Sequence, residues 1–185
     1  MKAIIIEDET AAVHSLKAIL SDNQITSIDV IAELESVEIA PLVESVVSAH
    51  SLPARAKMIH TDVALAVNAC LAEPMLLMSV LDNLYSNAVH YGAESGNIRI
   101  HSYRHGEQVR IDVANSGEPI PAAEKNMIFE PFYQGSHQRK GAVKGSGLGL
   151  SIARDCVRQM QGELSLVDAP AGQVCFRITL PSAPE

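Results

Sequence analysis

Basic residues are scarce in this chain. Lysine and arginine number 14 against 22 aspartates and glutamates, for a formal net charge of −8. That balance argues against non-specific nucleic-acid binding, which needs a basic surface to neutralise phosphates. Cysteine is scarce too. Cys70, Cys156 and Cys175 are odd in number, far apart and set in apolar patterns, which fits reduced thiols of a cytosolic protein. None has a second cysteine at ligand spacing, so a thiolate metal site is excluded. No apolar run approaches the ~20 residues needed to cross a bilayer. The first nine residues do not form a secretory leader, because their apolar stretch is short and runs into acids. Repeats and low-complexity tracts are absent. Phenylalanine occurs only three times, and two of the three, Phe129 and Phe132, fall in one short run.

With 185 residues, 47% of them hydrophobic, the chain is long enough for one good core and an appended piece. Residues 4–6 predict a short strand, followed by the acids Glu7, Asp8 and Glu9, a helical pattern in Ala12, Leu16, Ile19 and Leu20, and a second strand over 28–34. From residue 37 the pattern changes. A helix begins near Ala40 with Pro41 in its first turn. Val63, Leu65 and Val67 alternate, predicting a strand over 61–68. A helix covers 73–91, with Pro74 at its start, and breaks at Gly92. Ile98 and Ile100, then Val109, Ile111 and Val113, predict a hairpin. A glycine-bearing stretch spans 117–147, a helix covers 148–161 and stops at Gly162, and strands follow over 164–167 and 174–180. The order α-β-α-β-β-loop-α-β-β predicts an α+β fold, a two-layer α/β sandwich with a mixed sheet on one side and helices on the other. The β-α-β fragment of residues 1–36 precedes it.

In the long helix, Leu77, Val80, Leu81, Leu84 and Ala88 form one apolar stripe at ~100° per residue. Asn83, Asn87 and His90 share its flank. A hard cation such as Mg²⁺ prefers oxygen ligands, and an amide oxygen supplies one without adding negative charge beside a triphosphate. A buried amphipathic helix with two solvated asparagines is the plainer reading. Downstream, Asp112-Val113-Ala114-Asn115-Ser116-Gly117-Glu118-Pro119 ends a strand. Ile128-Phe129-Glu130-Pro131-Phe132-Tyr133 supplies aromatic anchors that would pin a loop to the core. Gly145-Ser146-Gly147-Leu148-Gly149-Leu150 opens a helix. Glycines spaced this closely let backbone N–H groups approach phosphate oxygens, with the helix dipole assisting. The glycine pattern alone could suggest a dinucleotide fold, but no buried strand immediately precedes it. A Walker-type loop is excluded because no Gly-x-x-x-x-Gly-Lys occurs. Arg139, Lys140 and Lys144 lie just upstream with no acid among them, a basic island suited to a triphosphate. A solvated loop is the plainer alternative.

Taken in order, these runs resemble the ATP-binding catalytic domain of histidine kinases, of the Bergerat (GHKL) ATPase fold. The resemblance covers residues 37–182, and the wording is closest to sensor kinases of enterobacterial two-component systems. It implies ATP and Mg²⁺ as cofactors, with Asn87 as the metal ligand. Asn83, His90 and Tyr91 would line the ATP site beside it. His90 stands at the family's lysine position, where its neutral form would weaken a phosphate contact as pH rises. Asn115 takes the place of the aspartate that accepts from the adenine amino group. Its carbonyl can still accept, without charge assistance. Gly117 keeps the first glycine of that box, and Pro119 replaces the second. Phe132 and Tyr133 belong to the phenylalanine box, Arg139, Lys140 and Lys144 to a basic lid, and Gly145, Ser146, Gly147, Leu148, Gly149 and Leu150 to the second glycine box. The run from Ala171 to Pro181 resembles the family's closing turn and last strand.

In hydrolytic relatives a glutamate stands where this chain has Asn83. An amide cannot take a proton at neutral pH, so the site suits holding ATP for transfer. The resemblance implies a protein-histidine kinase domain that sends the γ-phosphoryl to an imidazole on a separate dimerisation domain. His14, His50, His60, His101, His105 and His137 lack the setting of that acceptor, so the chain reads as a catalytic module separated from its substrate helix. The implied partners are that histidine-bearing domain and, indirectly, a cognate response regulator, with no nucleic acid and no membrane contact. The domain would be monomeric and cytoplasmic, under a parent kinase in the inner membrane.

Residues 1–36 resemble the opening of a response-regulator receiver, in which the acidic pair Glu7 and Asp8 would hold Mg²⁺. A sheet cut after two strands cannot bury both faces, so this fragment should not receive phosphate, and the junction at 36–37 reads as a fusion. Three alternatives stay open: a nucleotide-binding module without transferase activity, a receiver-like interaction protein, and a serine kinase of the same fold.

Overall fold

The computed structural model of the chain describes residues 3–5, 28–30, 32–135 and 146–184. Strands β1 (Ala3–Ile5) and β2 (Ile28–Val30) form a parallel pair with Ala3 opposite Ile28. Next come β3 (Glu35–Glu38), α1 (Ile39–Ala49), α2 (Ser51–Ala56), β4 (His60–Leu65), β5 (Ala69–Ala72) and α3 (Pro74–Tyr91). The hairpin β6 (Asn97–His105) and β7 (Gln108–Ser116), a 3-10 turn at Met127–Phe129, α4 (Gly149–Gln159), β8 (Glu163–Val167) and β9 (Gln173–Pro181) complete the order.

The main sheet has five strands in the order β4-β6-β7-β9-β8. It is mixed, because β4 runs parallel to β6 while the other pairs are antiparallel. Residues of β6 and β7 alternate between buried and solvated, as one covered face requires. Ile98, Ile100, Ile111, Val113 and Ile178 on that face join Leu77, Leu81 and Leu84 of α3 and Ala153 and Val157 of α4 in one core. On the opposite face Arg177 grips Asp112, its direct cross-strand neighbour, through two bonds of 2.8 Å. Helices therefore lie on one side of a mixed sheet, the two-layer α+β arrangement expected of the patterning.

Helix α3 starts where Pro74 takes the first turn and Glu73 caps it. The Glu73 carboxylate accepts from the N–H groups of Met75 at 3.2 Å and Leu76 at 2.6 Å. The expected stripe of Leu77, Val80, Leu81, Leu84 and Ala88 is buried, joined by Leu76, Tyr85 and Val89. The helix ends at Gly92, where a Cβ would lie 2.4 Å from the Ala88 carbonyl oxygen. Lys57 donates to the carbonyls of Val89 and His90, satisfying the last turn from another element. Helix α4 ends just before Gly162, where a Cβ would meet the Thr179 carbonyl oxygen at 2.3 Å.

Three features differ from the sequence-based expectation. The strand over 61–68 is shorter: β4 ends at Leu65, Val63 is 44% exposed at the sheet edge, and Val67 is tied instead to the Ser102 hydroxyl. The pair β3 and β5 and the short helix α2 had no counterpart in the patterning. Four-residue strands are too brief for period-2 alternation to register, and β3 buries only Val37. The β1–β2 pair matches the two expected N-terminal strands, while Glu7, Asp8 and the helical pattern between them lie outside the described residues.

Candidate functional site

The site is built where the flank of α3 meets the start of α4. Both Asn83 and Asn87 are half-buried rather than sealed in the core. The Asn83 amide nitrogen donates to the Ser79 carbonyl at 2.8 Å, one turn back along α3. That bond turns the Asn83 oxygen outward, toward Gly149. A Cβ placed on Gly149 would lie 2.8 Å from Asn83 Oδ1 and 4.0 Å from Asn87 Nδ2. A side chain there would push the Asn83 carboxamide aside, so the backbone at the start of α4 comes close to Asn83, with Asn87 at ordinary contact range. Two residue types singled out 62 positions apart are thereby brought together. Leu148 and Leu150 are half-buried around this contact, and the Ser146 hydroxyl accepts from Leu148 N at 3.3 Å.

His90 and Tyr91 follow on the same helix and are both exposed, their rings packed edge-to-face at 4.6 Å. Burial first, and the neighbouring Lys57 charge second, hold His90 below the usual histidine range. Lys57 stood outside the expected set. It reaches this helix end only through the fold, and no sequence signal marks it.

Asn115 is the buried end of β7, 6% exposed, and its amide nitrogen donates to the Ser116 carbonyl at 3.2 Å. The carboxamide oxygen is thus left as the acceptor. Gly117 is squeezed between Asn115 and the end of α3: a Cβ there would meet Asn115 Nδ2 at 3.1 Å and the Tyr91 carbonyl oxygen at 3.2 Å. A bond of 2.8 Å from Ala93 N to Ser116 O fastens the same junction. So the first glycine box sits beside the C-terminal end of the asparagine helix, as one pocket requires.

The phenylalanine box divides in two. Phe129 is 8% exposed, packs edge-to-face on Phe176 at 6.1 Å and lies under the Arg154 guanidinium at 4.9 Å. It is the core anchor that the sequence suggests. Phe132 is not one: its ring is 73% exposed, and its backbone rather than its side chain makes the contact, donating from N to the Gly147 carbonyl at 2.9 Å. Tyr133 is half-buried; burial first, then the Glu124 charge and a hydrogen bond with that carboxylate, hold its phenol above the usual range. Arg139, Lys140, Lys144 and Gly145 lie outside the described residues.

Among the described residues no three His, Cys, Asp or Glu side chains converge on one point. A divalent cation at α3 would therefore use neutral amide oxygen together with water and phosphate oxygens. That suits Mg²⁺, which keeps several waters and shares substrate phosphates. The half-buried amide flank, facing a glycine that a Cβ would crowd, fits such an ion and a polyphosphate. Among the described residues no helix is long and apolar enough to cross a membrane.

Comparison with known proteins shows the family. The family described as histidine kinase-, DNA gyrase B- and HSP90-like ATPase matches residues 72–184. The chain is 68% identical over 179 residues to the sensor histidine kinase GlrK of Escherichia coli (strain K12), covering 97% of this chain and 38% of that protein. It thus spans well under half the length of this relative. It is also similar to the catalytic domain of histidine kinase ThkA, with a TM-score of 0.71 and 28% identity over 82% of this chain and 97% of that one. The histidine kinase ThkA in complex with response regulator protein TrrA gives a TM-score of 0.68 and 25% identity over 94% of this chain and 48% of that one. The match to GlrK takes in all but a few residues, so most of residues 1–36 align within a sensor kinase. Their likeness to a receiver is not supported.

Proposed function

The chain belongs to the histidine kinase-, DNA gyrase B- and HSP90-like ATPases, and from that membership we propose that it binds Mg²⁺–ATP and positions the γ-phosphoryl for transfer to a histidine on a separate dimerisation domain. The observation that carries this reading is the contact of Gly149 with Asn83 and Asn87. It brings the start of α4 against a neutral amide flank. Backbone N–H groups and the α4 dipole hold phosphate oxygens, and the Asn87 carboxamide holds the cation without adding charge to an already anionic cluster. Bound there, Mg²⁺ neutralises charge on the phosphate oxygens.

In this reading the Asn115 oxygen accepts from the adenine amino group. Gly117 lets the chain close behind the base, and Tyr91 and Tyr133 flank the opening. His90 contacts phosphate as a neutral donor, and Arg139, Lys140 and Lys144 supply the cationic side of the pocket with Gly145 and Ser146. Asn83 stands where hydrolysis needs a base, which favours transfer over water attack. The ATP-binding unit comprises residues 37–182, with β3 leading into it. A cognate response regulator would be the onward partner, by analogy with the ThkA–TrrA complex, and the domain would face the cytosol. A nucleotide-binding module without transferase activity is the second reading, favoured by Asn115 and Pro119 at positions where the family carries aspartate and glycine.

The test is a titration with an Mg²⁺–ATP analogue, followed by incubation with labelled ATP and a supplied histidine-bearing dimerisation domain. The expected result is saturable binding that Asn87→Ala weakens at least about tenfold, a loss of 1.4 kcal/mol, and acid-labile label on the supplied domain. Equal binding by both forms refutes the metal assignment. Binding without any transfer leaves the second reading standing.

A further inference from the structure

We propose that Phe132 positions the glycine box through its backbone conformation, not its ring, so that nucleotide affinity depends on whether residue 132 tolerates a positive φ. The inference rests on the ATP-site reading above and deepens it. Residues 130–133 form a tight turn closed by Tyr133 N donating to Glu130 O at 3.2 Å. Glu130 enters extended, with ψ 139°, Pro131 fixes the first central position, and Phe132 occupies the second at φ 63°. Those are the features of a type II turn, whose second central position calls for glycine or asparagine. A bulky aromatic there is an outlier, since the left-handed region brings its Cβ against the carbonyl oxygen.

The turn makes one contact that explains why this conformation is kept. A type II turn points its central N–H outward, and that of Phe132 donates to the Gly147 carbonyl at 2.9 Å. Gly147 is itself left-handed, at φ 72°, and a Cβ there would lie 2.8 Å from the Phe132 carbonyl carbon and 2.9 Å from Tyr133 O. Two positive-φ residues are thus locked back to back. Two residues after Gly147 comes Gly149, the residue pressed against Asn83. The turn of residues 130–133, bonded to Gly147, therefore sets how far the start of α4 reaches toward the carboxamides. The ring takes no part in this, being 73% exposed. Strained backbone of this kind concentrates at ligand-binding turns, where surrounding structure holds it in place.

The experiment measures Mg²⁺–ATP analogue affinity and thermal melting for the full chain and for Phe132→Ala, Phe132→Gly and Phe132→Val. Phe132→Ala removes the ring but keeps an unbranched side chain at the positive φ, and should weaken binding far less than Phe132→Val. Phe132→Gly should bind as well or more tightly. Phe132→Val, β-branched and poorly suited to positive φ, should lose affinity about tenfold while the other two do not. Equal weakening in all three variants would mean that the ring makes the contact, and equal, unweakened binding that the turn does not matter; either overturns the proposal. If Phe132→Val does not fold, Gly147→Ala reads the same contact from its other side, and unweakened binding there overturns it as well. Failure of the unsubstituted chain to bind nucleotide would instead sink the ATP reading itself, so the two failures are distinguishable.

Discussion

At the scale of single residues, the site depends on places where a side chain must be absent or neutral. Gly149→Ala would drive a methyl to 2.8 Å from Asn83 Oδ1. The Asn83 carboxamide, the far end of a side chain, would have to turn aside. The expected outcome is nucleotide affinity reduced at least about tenfold; a variant that binds like the unsubstituted chain would separate Gly149 from the site. His90 provides a pH test. Burial and then Lys57 lower its protonation in the folded chain, so the unfolded chain takes the proton more readily. Its contribution to stability is therefore full above the ordinary histidine value of about 6.5 and declines as pH falls below it. The effect is small because the ring is exposed. Melting curves between pH 7.5 and 5.5 should show a slope that His90→Gln reduces, and an unchanged slope would assign the decline to other groups. The proximity of Gly149 to the Asn83–Asn87 flank joins two runs that each stood out locally, because amide spacing and glycine clusters are short-range signals. That Phe132 works by backbone while Phe129 works by burial was not legible, since both aromatics look alike in a run of letters.

At the scale of elements, α3 carries the argument, and its cap is a single side chain. Glu73→Ala removes the acceptor for Met75 N and Leu76 N. The loss should be about 1 kcal/mol, or roughly 2–4 °C in melting temperature for a chain of this size. Circular dichroism melts would check it. A larger loss, with nucleotide binding abolished, would mean that the cap also sets the register of the carboxamides. The long amphipathic helices and the β6–β7 hairpin were readable because their periodicity runs for several turns or alternations. The strands β3 and β5 were not. Each has four residues, and they pair with each other only after α1, α2 and β4 have intervened, so no local pattern announces them. The edge strand β4 was placed but overextended: Val67 looks like one more step of the alternation, yet its backbone turns aside to the Ser102 hydroxyl.

At the scale of the whole molecule, the fold protects what its surface composition would leave reactive. All three cysteines are buried. Burial pushes the Cys70 thiol up to about 12, and burial with the Asp112 charge pushes Cys175 up to about 11 against the opposing pull of Arg177. Neither holds appreciable thiolate at neutral pH. A thiol reagent at about pH 8 should label the native chain slowly and all three cysteines at once in denaturant; rapid native labelling would contradict the burial. Fold class and the order of the long elements could be read from the chain alone, because periodicity and glycine spacing are encoded within short windows. Folding alone brings Gly149 close to Asn83, lets Lys57 close the end of the asparagine helix, and turns Phe132 to solvent. Those contacts join segments far apart in the chain, and only the packed core brings them within reach.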